Sequence, residues 1–150
     1  MSDIVLSFEQ DQAINLKDKN IIISAQAGAG KTFVLVSRII KKIIEEKVDI
    51  TNLLIVTFTN KAAGEMKTRI IQDLQKELQK PNADQRYILD QKSKVINAQI
   101  STMHSFCINT IRTYFNKLNI NPQFKIITDT SKIVMIADCM DQVFQDLYEI

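Results

Sequence analysis

Asn20-Ile21-Ile22-Ile23-Ser24-Ala25-Gln26-Ala27-Gly28-Ala29-Gly30-Lys31-Thr32 decides how this chain folds. The β-branched run over 20–25 reads as a short buried strand. The small residues Ala27, Gly28, Ala29 and Gly30 read as a turn. Over 32–46 the apolar residues Val36, Ile39, Ile40, Ile43 and Ile44 recur at helical spacing and predict one buried face. Strand, small-residue turn and helix is the layout in which backbone N–H groups close around phosphate oxygens, with the positive end of the helix dipole behind them. The eight residues Ala25, Gln26, Ala27, Gly28, Ala29, Gly30, Lys31 and Thr32 follow the GxxxxGK[ST] pattern, with Ala25 where the first glycine usually stands. Lys31 is expected to reach the β- and γ-phosphates and the Thr32 hydroxyl to ligate Mg²⁺. The bland alternative is an ordinary glycine-containing βα turn.

Outward from this stretch the pattern alternates. A second buried strand is expected over 53–58, then a helix over 60–80 with Met66, Ile70, Leu74 and Leu78 on one stripe and Asn60 as N-cap. Pro81-Asn82-Ala83 ends it, and a polar helical segment runs to about residue 93. A third strand is expected over 95–101. A helix follows over 104–118 with Phe106, Ile108, Ile111 and Phe115 buried, then a turn over 119–122. A fourth strand over 124–127 precedes a last helix over 131–148, capped by Asp129, Thr130 or Ser131. Strands alternating with helices imply an α/β fold: a parallel sheet with helices on both faces. No internal repeat, low-complexity tract or linker interrupts it, so one domain is expected over 1–150. The sequence stops inside an apolar helical pattern without a Gly or Pro stop signal, which reads as a truncation.

The 150 residues are 45% hydrophobic and 24% charged with 3 Gly and 2 Pro, which excludes a disordered chain. No apolar run approaches the roughly 18 residues that a membrane span needs, and the first residues lack a secretory n-region, so no membrane partner is expected. Cys107 and Cys139 make no metal-ligand spacing and read as reduced core thiols of a cytoplasmic protein. The formal net charge is +2. Residues 129–150 carry five acids and one base, a net of −4, which leaves +6 on the first 128 residues. That asymmetry fits either an anionic partner or ordinary solvated helix faces.

Four segments in fixed order narrow the reading. They are Phe8-Glu9-Gln10-Asp11-Gln12-Ala13-Ile14, the turn at 25–32, Thr57-Phe58-Thr59-Asn60-Lys61-Ala62-Ala63-Gly64-Glu65-Met66, and Ser101-Thr102-Met103-His104-Ser105-Phe106. Together they closely resemble the Q motif and motifs I, Ia and Ib of superfamily 1A DNA helicases, the UvrD/Rep/PcrA type, in which the first P-loop position is alanine. The resemblance covers essentially the whole chain. Within it, Cys107 after motif Ib, the stretch Leu118-Asn119-Ile120-Asn121-Pro122-Gln123-Phe124-Lys125-Ile126 and the long helical segment between motifs Ia and Ib are most similar to AddA-type helicase–nuclease subunits.

The resemblance implies a RecA-like P-loop NTPase fold, here the N-terminal part of motor domain 1A, using ATP and Mg²⁺. It implies a motor that moves 3′ to 5′ on single-stranded DNA during double-strand break repair and recombination. The implied partners are single-stranded and duplex DNA, the rest of the helicase chain and a second, AddB-like subunit. Gln10 is the implied adenine contact, since a carboxamide donates and accepts at one base edge; a surface glutamine is the alternative. Thr57, Phe58, Thr59 and Asn60, and likewise Thr102 and His104, follow predicted strands. They are therefore expected at one edge of the sheet, with the P-loop. Hydroxyls and an amide there hold a DNA backbone, and Phe58 stacks on an unpaired base. Core packing for Phe58 and a helix-start role for His104 stay open. Lys61 is either a phosphate partner or a solvated lysine; Arg38 and Arg69 read as structural.

Hydrolysis by such a motor also needs a downstream acidic pair and arginines from a second RecA-like domain. No Asp-Glu-x-Gln segment occurs here, so the chain itself is expected to be inactive. A small P-loop kinase needs a lid arginine cluster and an acidic acceptor site, and neither occurs. A binding module without chemistry, or a fragment of another UvrD/Rep-type repair helicase, remains as an alternative.

Overall fold

The structure, a computed structural model, describes residues 6–17, 20–26, 28–121 and 123–148. In chain order the elements are α1 (Phe8–Asn15), α2 (Lys31–Ile44), β1 (Leu54–Thr57), α3 (Asn60–Leu78), α4 (Gln85–Lys94), β2 (Gln99–Thr102), α5 (Met103–Leu118) and α6 (Asp129–Tyr148), with 3₁₀ turns at Ile50–Asn52 and Val95–Asn97. They fall into two compact units, Met1–Ile108 and Asn109–Ile150.

The first unit holds the sheet and the core. β1 and β2 pair in parallel, Leu54 with Gln99 through Thr57 with Thr102. The connection between them runs through α3 and α4, as a parallel pair demands of its crossover. Ile55 and Ile100 are buried on one face of the sheet, against which α3 packs. The buried stripe of α2 is Val36, Ile39, Ile40 and Ile43, and that of α3 is Met66, Ile70 and Leu74, as helical spacing predicts; Ile44 and Leu78 are half-buried at its ends. Each such side chain contributes about 1.5–3 kcal/mol by leaving water.

Two expected strands are not strands. Residues 20–26 form no regular element, with Ile22 97% and Ile23 48% exposed, and 124–127 are likewise irregular. β-Branched runs become strands only where a neighbouring strand takes their N–H and C=O groups, and among the described residues none does. Among the described residues the sheet therefore has two strands, and the face opposite α3 leaves Leu54 and Val56 exposed rather than helix-covered. Caps also differ by one residue. Thr59, not Asn60, caps α3 by accepting the Ala62 N–H at 3.1 Å, and Thr128, ahead of the three expected candidates, caps α6 by accepting the Ser131 N–H at 3.3 Å. A hydroxyl one residue before the helix reaches an N–H of the first turn, which a residue already inside the helix does not.

A buried amide ties α4 to the approach of β1. Gln91 is 1% exposed; its Oε1 accepts the Ile50 N–H at 2.8 Å and its Nε2 donates to Asp49 at 3.2 Å. The Lys94 ammonium, together with the Thr51 hydroxyl and N–H and the Gln91 amide, holds the Asp49 carboxyl well below the usual carboxylate range. Stability from Asp49 is therefore complete above its ordinary value of 3.8 and is lost as the pH falls from there toward the lowered folded value. Gln91→Leu leaves the Ile50 N–H buried without its acceptor and is expected to cost about 1–3 kcal/mol in urea unfolding. A loss under about 0.5 kcal/mol, the size of an ordinary surface change, would show that the amide is dispensable.

In the second unit no side chain of α6 is buried. Ile133, Val134, Met135 and Ile136 are successive and all more than half exposed. α5, which begins in the first unit, leaves Phe106, Ile108, Ile111 and Phe115 half-buried rather than buried. The same lack of cover corrects the cysteines: Cys107 and Cys139 are free thiols but exposed, not core. The Thr113 hydroxyl bonds back to the Asn109 carbonyl at 2.8 Å, and α5 kinks at the next residue, Tyr114. Asn119 then ends the helix at φ 52° while the Ile120 N–H bonds to the Phe115 carbonyl, a Schellman stop.

Candidate nucleotide-binding turn and strand-edge motifs

α2 begins without a side-chain cap. Gly30, at φ +79°, is its N-cap, and the first intrahelical bond is the Val34 N–H to the Gly30 carbonyl at 2.9 Å. The N–H groups of the first turn therefore point out of the helix end with no hydroxyl or carboxylate placed to take them, which is the condition for an anion site. Gly28, at φ +83°, and Gly30 both hold left-handed backbone that side-chain-bearing residues resist. Ala27 lies outside the described residues. Lys31 curls back over the turn, its ammonium 2.5 Å from the Ala25 carbonyl and 2.7 Å from that of Gln26. An ammonium has three donors, so one remains for a ligand oxygen while two fix the loop. Thr32 is exposed on the same first turn.

Gln10 comes to this turn on α1, a helix that apolar periodicity does not announce. Its signal is Ser7-x-x-Gln10, a capping box. Gln10 Oε1 accepts the Ser7 N–H at 3.0 Å, and the Ser7 hydroxyl accepts the Gln10 N–H at 3.3 Å. The remaining amide, Nε2, donates to the Ala29 carbonyl at 3.3 Å. A Cβ at position 30 would stand 3.3 Å from that nitrogen, a tight contact that the Gln10 side chain would have to yield to, so it is the φ of +79° that favours glycine there. Between α1 and the turn lies a cleft of about 370 Å³ lined by Gln10, Ala13, Ile23, Ala25, Ala29 and Lys31 among others. Glu9 also lines it. Its own backbone N–H, then the Ser7 hydroxyl, lower the Glu9 carboxyl below its usual range, so the α1 end of the cleft is anionic and the Lys31 end cationic. A larger groove of about 410 Å³ lies against α1, α2 and α3, but its lysines are paired with its own acids, Lys41 with Glu45, Lys76 with Asp73 and Lys80 with Glu77.

The other expected site residues gather where the sequence places them, at the C-terminal edge of the sheet. Thr57 and Thr102 are register partners, so Phe58 and Met103 leave adjacent strands side by side. Phe58 is 102% exposed, which removes core packing as its role within this chain. Thr57 donates to the Thr59 carbonyl at 3.0 Å, and Thr59 caps α3. Thr102 is buried; it donates to the Ser105 hydroxyl at 2.9 Å and accepts the Ser105 N–H at 3.2 Å, capping α5. Asn60, Lys61 and His104 are exposed beside them. The expectation that the turn at 25–32 shares this edge rested on a strand over 20–25 that is not formed.

Among the described residues no helix is long and apolar enough to cross a membrane, and no group of three or more His, Cys, Asp or Glu is placed to hold a metal ion. In comparisons with known proteins the chain is 41% identical over 141 residues to the A subunit of the ATP-dependent helicase/nuclease of Alkaliphilus oremlandii, covering 94% of this chain and 12% of that protein. It is 46% identical over 130 residues to the protein of the same name from Lactobacillus acidophilus, covering 87% and 11%. For that of Acetivibrio thermocellus the identity is 46% over 143 residues, covering 94% and 11%. The chain thus spans about an eighth of the length of these relatives. The model of the UvrD/REP helicase N-terminal domain matches residues 6–149. Nearly the whole length is matched, and the chain belongs to the UvrD/REP helicase N-terminal domain family.

Proposed function

We propose that this chain is the N-terminal part of the ATP-binding motor domain, domain 1A, of an AddA-like helicase–nuclease. Such a protein couples ATP hydrolysis to 3′-to-5′ movement on single-stranded DNA in double-strand break repair and recombination. The observation that carries the reading is the uncapped start of α2, with Gly28 and Gly30 in left-handed backbone and Lys31 folded over the turn. In this reading residues 25–32 hold the triphosphate, Lys31 offers its free donor to a phosphate oxygen and Thr32 ligates Mg²⁺. The cleft's polarity sets the direction: phosphates at the Lys31 end, away from the charge of Glu9, and adenine at the Gln10 end. Gln10 still has one N–H and one lone pair for the base edge.

The strand edge divides the work of holding DNA. Thr57, Thr59 and Thr102 fix the strand ends and helix starts; Phe58, Asn60 and His104 present the exposed ring, amide and imidazole that meet the single strand. The uncovered turn of α6 at 133–136 supports the rest of the helicase chain as a partner, because four successive apolar residues circle the helix there and are left exposed. The same reading includes a cytoplasmic setting and a second subunit of AddB type. The test is ATP hydrolysis by the intact polypeptide with and without single-stranded DNA. Hydrolysis is expected to rise at least about tenfold with DNA, since tenfold is only about 1.4 kcal/mol of barrier. Hydrolysis indifferent to DNA, with phosphate transferred to a small acceptor, would establish a kinase instead.

A further inference from the structure

Arg38 lies on the second turn of α2, seven residues beyond Lys31, and belongs to none of the four motif segments. Its half-buried guanidinium donates to two backbone carbonyls of the neighbouring helix α1, Ala13 at 2.7 Å and Ile14 at 3.3 Å. About one turn further along α2, Lys41 donates to the Asn15 side chain. The carbonyls of Ala13 and Ile14 belong to the last turn of α1, have no N–H partner within the helix and favour a cation nearby. α1 has no basic residue in its own last turn. Its C-terminal cation is therefore supplied from α2, the helix that starts at the nucleotide turn.

The other end of α1 is held by the capping box, whose Gln10 also reaches the Ala29 carbonyl. An eight-residue helix is too short to persist on propensity alone. Its apolar content is low and a single residue, Ala13, is buried. The first pin is Gln10 to the turn at one end; the second is Arg38 to the backbone carbonyls at the other, beside the Lys41 contact to the Asn15 side chain. Loss of the second pin frays α1 from its C-terminus and lets Gln10 wander, while Lys31, Thr32 and the first turn of α2 keep their own geometry.

We propose that Arg38 is a positioning residue for base recognition: by capping the C-terminus of α1 from α2, it fixes Gln10 against the nucleotide turn and so sets the preference for the adenine base. This rests on the nucleotide reading above, and in particular on Gln10 as the base contact. It predicts a separation that a merely structural arginine does not give. Contacts to the base weaken, and contacts to the phosphates stay.

The experiment compares Mg-ATP, Mg-GTP and magnesium tripolyphosphate by calorimetric titration on the intact polypeptide, for wild type, Arg38→Ala, Arg38→Lys and Gln10→Ala. Arg38→Ala is expected to weaken ATP about tenfold, the scale of a lost charged hydrogen-bonding group, and to change tripolyphosphate less than about twofold. Discrimination between ATP and GTP should fall with it. Arg38→Lys, which keeps the charge and an N–H donor on a head of different shape, should recover part of the ATP affinity and serves where the alanine variant folds poorly. Equal losses for ATP and tripolyphosphate in both arginine variants, or no loss in either, would overturn the proposal while a normal Gln10→Ala response left the adenine reading standing. If Gln10→Ala itself weakens both ligands equally, the adenine reading fails, and the role of Arg38 fails with it.

Discussion

Lys31→Ala is expected to lower the affinity for Mg-ATP by roughly 100-fold or more, the largest effect of any single substitution in this chain. The ammonium has two tasks, and alanine ends both. It holds the carbonyls of Ala25 and Gln26, which keeps the loop curled, and in the proposed reading its third donor is left for a phosphate oxygen. A charge-assisted hydrogen bond is worth about 1.5–3 kcal/mol, and the loop loses its own restraint as well. Because Lys31 is exposed and outside the core, thermal stability should hardly move. Calorimetric titration of wild type and variant with Mg-ATP and Mg-ADP decides the matter. Equal affinity in the two proteins would sink the phosphate assignment.

Phe58→Ala should weaken single-stranded DNA binding by about 1–3 kcal/mol, roughly fivefold to 150-fold, with little dependence on sequence. Every base has a stacking face, so mixed sequences should lose similarly. Mg-ATP affinity should stay within about twofold, because Phe58 is not among the residues lining the cleft at Lys31. The melting temperature should also stay, since a fully exposed ring contributes nothing to the core described here. His104→Ala should show the same pattern more weakly. Fluorescence anisotropy with labelled single strands at one fixed salt concentration is the assay, as phosphate contacts make affinity salt-dependent. Unchanged DNA affinity together with a large fall in melting temperature would return Phe58 to a packing role.

The elements that were legible in the sequence are those whose burial is set by their own periodicity. Val36, Ile39, Ile40 and Ile43 on α2, and Met66, Ile70 and Leu74 on α3, occupy the faces that their spacing demands. The Thr57-to-Asn60 and Thr102-to-His104 segments likewise sit at one sheet edge because two parallel strands of equal length end together. What escaped depends on partners. The Ile21–Ile23 run has strand composition but no neighbouring strand among the described residues, and composition alone does not supply a ladder. Cys107, Cys139 and the apolar residues of α6 look like core material, yet burial needs an opposing surface. α1 was missed for the opposite reason: its apolar content is weak, and its stability comes from caps and from Arg38, a residue 24 positions beyond Ile14. The threonines at the strand edge were legible as polar groups, but not as helix caps, because a cap is defined by where the next helix starts.

The parallel pairing of β1 and β2 also constrains how the chain acquires its structure in time. Leu54 meets Gln99 across an intervening chain of more than forty residues, all of α3 and α4 included. Closing such a loop costs entropy before any ladder bond repays it, and no hairpin shortens the route. The helices form locally within about a microsecond, whereas the ladder waits until α3 has docked and brought the two ends together. The sheet edge bearing Phe58 and His104 is thus among the last parts of the first unit to appear during folding. In a hydrogen-exchange pulse the amides of α2 and α3 should gain protection before those of residues 55–57 and 100–102.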